Sequence, residues 1–374
     1  MAMSSRLAVP ALFAFLVAST GCSGCSDDPA PAPPPTSGKG GTGGNGGTGI
    51  GGKGGAGPTG GTGGTNAGGT SSGGTNAGGS SGSGAGTACG APNGSGTLTG
   101  AKPVALGDAK LPFDATPSPD GCTVYFTALD ATDTPSVYKS SGGTATRLTG
   151  GGLLTLPSGI TVNSTGGTLF VADPEAEPTP GQFGALFAIP ASGGGAEVLT
   201  GTAGKRVTGV TVARLAGTDV LYFTGQEADG KGAVYSIPTG GGGATPVFVG
   251  PPLVSPSSVA VTDDGTVYVT DNGGGGALYA LKGVTATLIK APLSGGFPSG
   301  VALSRDGTAV LLAAASGATR IDRVGLTDFK TTSFTTGLET GGDPAGLHRA
   351  LSVEVYALVD QVTGGAGGIF LLAP

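Results

Sequence analysis

A short motif recurs along most of the chain and limits what it can fold into. Its two clearest copies begin at Pro256 and Pro298 and read Pro-Ser-Ser-Val-Ala-Val-Thr-Asp-Asp-Gly and Pro-Ser-Gly-Val-Ala-Leu-Ser-Arg-Asp-Gly. Each copy is an alternating apolar stretch, then an Asp-Gly pair that favours a tight turn, then a second β-rich stretch. The motif therefore predicts a β-hairpin that is repeated.

Six copies share one register. They begin at Pro112, Pro157, Val207, Pro256, Pro298 and Pro344. Third strands follow, such as Ser136–Lys139 and Ala277–Ala280, and a fourth strand comes after a Gly-rich turn. A period of about 40–50 residues with four short strands is typical of propeller blades. The sequence therefore predicts an all-β fold: a six-bladed β-propeller of four-stranded antiparallel blades, over residues 95–374.

The sixth unit ends at Pro374, directly after its third strand. Before the first unit, Lys102–Leu106 has the pattern of a fourth strand without partners. We expect this segment to complete blade six, because it would close the ring and cover an exposed strand edge.

The first 21 residues predict an export signal. Arg6 precedes the apolar run Leu7–Ala18, which is too short to cross a hydrocarbon core of about 30 Å. The run ends in Ala-Ser-Thr-Gly before Cys22, which resembles the lipobox of bacterial lipoproteins, although Ser19 stands where Leu is usual. The resemblance implies lipidation of Cys22. Cys25 is an alternative acceptor, and an ordinary signal peptide cut nearby is the other possibility.

Residues 22–94 predict a disordered, low-complexity tether. A proline run is followed by Lys39–Ala88, about half of which is Gly, in a chain with 79 glycines. Such a segment lacks the apolar side chains that offset the entropy of ordering. Because Ser23 rather than Asp follows Cys22, the chain resembles outer-membrane lipoproteins. We expect it in the cell envelope, contacting the membrane only through its lipid.

The charge pattern argues against a nucleic-acid partner. The net charge is −6, 11% of residues are charged, and Lys and Arg form no cluster in the sequence, whereas phosphate backbones need concentrated positive charge. Trp is absent, which disfavours an aromatic stacking platform.

The repeated Pro-Ser-Gly-Val-Ala-Leu-Ser-Arg-Asp-Gly pattern is similar to six-bladed propellers of the NHL-repeat and gluconolactonase-like (senescence-marker) superfamily. The resemblance covers residues 95–374. It implies the architecture more strongly than any activity, because this fold hosts hydrolases, receptors and scaffolds.

Enzymes of that superfamily hold a divalent metal at the mouth of the central channel, and the resemblance implies where its ligands would lie in this chain. The corresponding positions here are Asp114, Ser158, Thr208, Ser257, Ser299 and Ala345. Hydroxyls and a methyl replace the carboxylate and amide oxygens that a hard cation requires. We therefore expect no metal and no cofactor, with a weakly held Ca²⁺ on Asp114 and Asp343 as the alternative to two loop-capping aspartates.

His348 is the single histidine, which excludes a site built on several histidines. It takes the place of Ala260 and Ala302 in sister units, near the channel. It can serve there as a general base, but we expect a packed or solvent-facing side chain. Asp173 and Asp271 end second strands, and we expect them to hydrogen-bond loop backbone.

Cys89 and Cys122 are the thiols in or beside the folded region. In an oxidising envelope the pair predicts a disulfide; two free or intermolecular thiols are the rival interpretation.

Together these features favour a non-catalytic binding or scaffold module, expected to be a monomer, over an enzyme. We expect an envelope protein, peptide or glycan to bind one propeller face, with Asp114, Ser158, Thr208, Ser257, Ser299 and His348 as candidate residues at the channel mouth. A metal-dependent, lactonase-like hydrolase with altered ligands is the alternative. A passive surface protein is a third possibility.

Overall fold

The computed structural model describes residues 89–295, 299–315, 317–338, 342–361 and 367–374. The predicted signal peptide, Cys22, Cys25 and the tether up to Ala88 lie outside the described residues, as does Pro298. The described part contains 24 β-strands and one 3-10 turn, Gly273–Gly275. None of its helical segments is long or apolar enough to cross a membrane.

The strands form six four-stranded sheets, which are the blades of a propeller. Blade 1 contains β2 (Lys110–Pro117), β3 (Val124–Leu129), β4 (Pro135–Ser140) and β5 (Thr146–Gly150). Blade 2 contains β6 (Gly159–Val162), β7 (Thr168–Asp173), β8 (Ala185–Pro190) and β9 (Glu197–Val198). Blade 3 contains β10 (Val210–Leu215), β11 (Thr218–Gln226), β12 (Gly232–Pro238) and β13 (Thr245–Val249).

The remaining blades repeat the same order. Blade 4 contains β14 (Pro256–Val261), β15 (Val267–Asp271), β16 (Ala277–Lys282) and β17 (Thr285–Lys290). Blade 5 contains β18 (Val301–Leu303), β19 (Ala309–Ala315), β20 (Thr319–Gly325) and β21 (Thr331–Phe334). Blade 6 contains β22 (Pro344–Arg349), β23 (Tyr356–Asp360), β24 (Gly368–Ala373) and β1 (Gly100–Pro103). The predicted six-bladed, all-β fold is confirmed.

Blade six takes its outer strand from the other end of the chain, as predicted. β1 pairs antiparallel with β24, from Gly100 opposite Ala373 to Pro103 opposite Phe370. The strand begins two residues before the predicted Lys102, and the Val104 N–H extends the pairing by donating to the Ile369 carbonyl at 2.9 Å. This pairing satisfies the edge that would otherwise be open.

Apolar side chains fill the spaces between blades. Six main clusters of buried residues follow the ring, one at each boundary between neighbouring blades. At the boundary between blades 6 and 1, Phe126 and Tyr138 pack with Val359 and Ile369. Each sheet thus buries both faces, and the alternation seen in the sequence reflects contacts with the two neighbouring blades.

The propeller has two different faces. The innermost strands are β2, β6, β10, β14, β18 and β22, and each contacts the next around the ring. Because all strands within a blade are antiparallel, the loops entering the innermost strands lie on one face together with the loops between second and third strands. We call this the entry face, and the opposite face, where the innermost strands end, the exit face.

Candidate functional site

The innermost strands approach one another closely where each begins. The third position of the six units holds Asp114, Gly159, Gly209, Ser258, Gly300 and Gly346. A Cβ on Gly159 would lie 2.7 Å from the Thr208 carbonyl oxygen, and one on Gly209 would lie 2.1 Å from that of Ser257. These distances are too short for carbon and oxygen, so glycine is required for this packing.

Asp114 is the exception at that third position. The sequence analysis grouped Asp114 with Ser158. In the structure, Asp114 of β2 pairs with Thr127 of β3, and Gly159 of β6 pairs with Ala172 of β7, at the same place in the two hairpins. Asp114 is therefore equivalent to Gly159. Ser158 corresponds to Phe113, one residue earlier. The Asp114 side chain enters the space beside Gly346, where a Cβ would lie 1.8 Å from its Oδ1.

The Asp114 carboxylate joins three blades near the ring centre. Its Oδ2 accepts the N–H of Ile160 in blade 2 at 2.8 Å and lies 2.9 Å from Nε2 of His348 in blade 6. Its Oδ1 accepts the Ala115 N–H at 2.9 Å. Asp114 is 2% exposed and His348 6% exposed. His348 is thus packed, and its ring is held by a carboxylate rather than by solvent.

The other channel-mouth candidates lie in the seams between neighbouring blades. Ser158 Oγ donates to the Thr208 carbonyl at 2.8 Å, and Thr224 Oγ1 donates to the Ser257 carbonyl at 2.9 Å. The Thr270 hydroxyl donates to the Ser299 carbonyl. Ser158, Thr208, Ser257 and Ser299 are all buried. Their polar groups therefore connect neighbouring blades, a role that the sequence did not predict.

Aspartates at the ends of second strands hold entry-face loops. Asp173 accepts the backbone N–H groups of Thr155, Leu156, Glu175 and Ala176 at 2.6–3.1 Å. Asp271 accepts those of Val254, Ser255 and Gly273. Burial raises the pKa of Asp173, while these N–H groups act in the opposite direction. The predicted loop-binding role of both residues is confirmed.

The entry face also carries a cavity of about 380 Å³ between blades 4, 5 and 6. It is lined by Asn272, Gly275, Gly276, Leu293, Gly295, Ser299 and Asp343. Ser299 Oγ donates to Asn272 Oδ1 at 2.6 Å. Burial and the nearby Asp360 carboxylate raise the pKa of Asp343. Amide, hydroxyl and carboxyl groups thus meet beside bare glycine backbone, a combination suited to binding a polar ligand.

The two metal candidates of the sequence take part in different contacts. Asp114 bonds to His348 and Ile160, whereas the backbone N–H of Asp343 donates to Asp360 Oδ1 at 3.0 Å. Within the described ranges, no three His, Cys, Asp or Glu side chains are grouped as a metal ion would need. The structure therefore does not bring Asp114 and Asp343 together in a ligand set.

Cys89 and Cys122 form a disulfide, with an S–S distance of 2.07 Å. Cys122 follows the turn after the innermost strand of blade 1, on the exit face. The Cys89 N–H also donates to the Asp120 carbonyl at 2.9 Å. The bond fixes the start of the described chain to blade 1, beside the segment that closes blade six.

Comparison with known proteins supports the fold alone. No protein-family model matches the chain, and no curated protein sequence matches it. Among solved structures, the PQQ-bound aldose sugar dehydrogenase of Streptomyces coelicolor is similar over 74% of this chain and 99% of that one, at 15% identity and a TM-score of 0.55. TolB of Acinetobacter baumannii is similar over 62% of this chain, at 12% identity and a TM-score of 0.50.

The chain spans 56% of the length of that TolB structure. A gluconolactonase of Xanthomonas campestris is similar over 74% of this chain and 99% of that one, at 18% identity and a TM-score of 0.47. Likeness at these identities shows the fold alone, so the function must be argued from this chain's own residues.

Proposed function

We propose that this chain is a lipid-anchored envelope protein whose propeller is a non-catalytic binding or scaffold module. The observation that carries this proposal is the entry-face cavity of about 380 Å³ lined by Asn272, Ser299 and Asp343. Its carboxyl and amide oxygens suit hydrogen-bond donors, such as peptide N–H groups or sugar hydroxyls. An envelope protein, peptide or glycan is therefore the proposed partner.

Both faces carry exposed apolar side chains, with Val284 and Phe329 on the exit face. Leu111, Leu153, Phe183 and Val254 lie on entry-face loops or at the start of an innermost strand, with exposures of 38–60%. The guanidinium carbon of Arg206 lies 5.6 Å from the ring centroid of Phe183. Exposed apolar groups on the same face as a polar cavity fit a protein-binding surface.

A capture experiment tests this proposal. The bait is the chain from residue 23 onwards, which lacks the proposed lipid acceptor, immobilised and exposed to envelope extract. Asp343→Ala removes the cavity carboxyl, and Asp328→Ala is the matched control, since Asp328 is an exposed residue in an exit-face turn. We expect the wild type and Asp328→Ala to retain the same component and Asp343→Ala to lose it. Equal retention by all three baits would contradict the proposed site.

The lipid anchor has its own test. We expect the full-length wild type to sediment with membranes and Cys22→Ala to be released, while Cys25→Ala stays bound. Membrane binding that persists in Cys22→Ala and is lost in Cys25→Ala would move the anchor to the second cysteine.

One observation favours the alternative hydrolase. A histidine oriented by a carboxylate, as His348 is by Asp114, is the arrangement of a general base. Its burial weighs against this activity, because a base must reach the proton that it removes and His348 is 6% exposed.

A further inference from the structure

Two arginines occupy unusual places on the exit face. Arg349 is the last residue of β22, at the sixth position of its unit. In the other five units that position holds Pro117, Val162, Val212, Val261 and Leu303. Arg349 therefore brings a charge to a position that is apolar in the other units. Arg305 lies in the turn that follows β18 in the neighbouring blade. We call Arg305 and Arg349 the arginine pair.

A buried carboxylate beside the arginine pair already accepts three hydrogen bonds. Glu354 is 0% exposed. Its Oε1 accepts the Gly96 N–H at 2.8 Å and the Tyr356 hydroxyl, and its Oε2 accepts the backbone N–H of Arg305 at 2.6 Å. Three donors thus use this carboxylate, and none of them is a guanidinium.

The guanidinium groups keep unused donors. Nε of Arg305 and Nε of Arg349 are both buried and have no hydrogen-bond partner among the described residues. Nη1 of Arg349 donates to the backbone carbonyl of Ala350 at 2.8 Å. This acceptor is neutral, so it does not balance the charge of the guanidinium. No carboxylate of the described part lies within 4.0 Å of either guanidinium. A buried donor without a partner is unfavourable, so this place favours an acceptor.

Charges of both signs act on Arg349. Burial lowers the pKa of Arg349, and the positive charge of Arg305 lowers it further, while Tyr356, Glu354 and Asp263 act in the opposite direction. An arginine remains charged in proteins even so. The two cations therefore have the carboxylates of Glu354 and Asp263 in their neighbourhood, and neither carboxylate forms an ion pair with a guanidinium.

We propose that the arginine pair binds a small oxyanion of the phosphate class on the exit face, opposite the entry-face cavity. Nε and one terminal nitrogen of a guanidinium form a fork that matches two oxygens of such an anion. The ligand would supply the acceptors that both Nε atoms lack. It would also relieve the repulsion between the two cations across the boundary of blades 5 and 6.

Calorimetric titration of the full chain with inorganic phosphate, against sodium chloride of equal ionic strength, tests the proposal. Arg305→Lys and Arg349→Lys retain the charge but remove the fork. Arg214→Lys is the matched control, because Arg214 lies near the exit-face end of β10, the innermost strand of blade 3, and is exposed. We expect the wild type and Arg214→Lys to bind equally, and each of the other two to bind about tenfold more weakly, as loss of a charge-assisted hydrogen bond predicts.

Two results would overturn the site: no phosphate binding by the wild type beyond the chloride control, or equal affinity in all four proteins. Arg305→Lys keeps the test valid if Arg349→Lys does not fold, because Arg305 lies in a surface turn. Circular dichroism of each variant establishes which proteins are folded before titration.

Discussion

Nε2 of His348 lies 2.9 Å from Oδ2 of Asp114, and this contact joins the last blade to the first. The same boundary is closed by β1, which comes from before blade 1 and pairs in blade 6, and by the disulfide that fixes Cys89 to blade 1. The closure of the ring thus rests on a buried polar contact, a strand exchange and a covalent bond.

The Asp114–His348 contact is expected to be energetically coupled. Asp114→Asn and His348→Gln each weaken a buried hydrogen bond, and each should lower the free energy of unfolding by about 1–3 kcal/mol. The double variant should lose less than the sum of the two, because both changes remove one shared contact. Urea unfolding of the four proteins measures this coupling. Additive losses would show that the two side chains stabilise the ring independently.

Deletion of residues 95–108 removes β1 and the Gly96 N–H that binds Glu354. We expect the melting temperature to fall by more than about 5 °C, since a loss of 1 kcal/mol shifts a domain of 150–250 residues by roughly 2–4 °C. Deletion of the tether segment 40–80 is the control and should leave the melt unchanged. An unchanged melt after deletion of 95–108 would contradict closure by this strand.

The Cys89–Cys122 disulfide closes a loop with a sequence separation of 33 residues. Its loss in Cys89→Ser/Cys122→Ser should lower the free energy of unfolding by about 2–4 kcal/mol. Chemical unfolding with and without dithiothreitol measures this. The reductant should destabilise the wild type to the level of the double variant and leave the variant unaffected. A wild type that is insensitive to complete reduction would show that the bond adds no stability.

Asp130 is expected to contribute to stability in a way that depends on pH. Hydrogen bonds from the Thr132 hydroxyl and the Thr134 N–H, together with the Arg147 charge, lower its pKa from 3.8 to about 2. Because the folded pKa is depressed, its contribution is present above pH 3.8 and is lost as the pH falls towards 2. Asp130→Asn should therefore be less stable than the wild type at pH 6, with a difference that shrinks by pH 2.5. A constant difference across this range would contradict the assignment.

The fold was predictable because its signal is repeated. Six copies of one hairpin motif set the period, and the missing fourth strand of the sixth unit indicated where the N-terminal strand must pair. The boundary of that strand was less certain, since Gly100 and Ala101 carry little strand propensity. Their placement depends on pairing with Ala373 and Leu372, which no local pattern encodes.

The candidate site was predicted only in part. The sequence comparison matched Asp114 with Ser158, the residue directly after Pro157, whereas counting from Pro112 and Pro157 places Asp114 at the position of Gly159. Comparison of the third position would have shown one aspartate among four glycines and a serine, and comparison of the sixth would have shown Arg349 among apolar residues. The contact between Asp114 and His348 depends on ring closure, because 234 positions separate the two residues.

We expect the propeller to bind a partner rather than to hydrolyse a substrate with a metal. The most direct measurement is the metal content of the purified chain after dialysis against millimolar Ca²⁺ and micromolar Zn²⁺, with Asp114→Asn alongside. We expect far less than one metal per chain in both proteins. One equivalent of Ca²⁺ or Zn²⁺ in the wild type that is lost in Asp114→Asn would contradict the claim and favour the hydrolase.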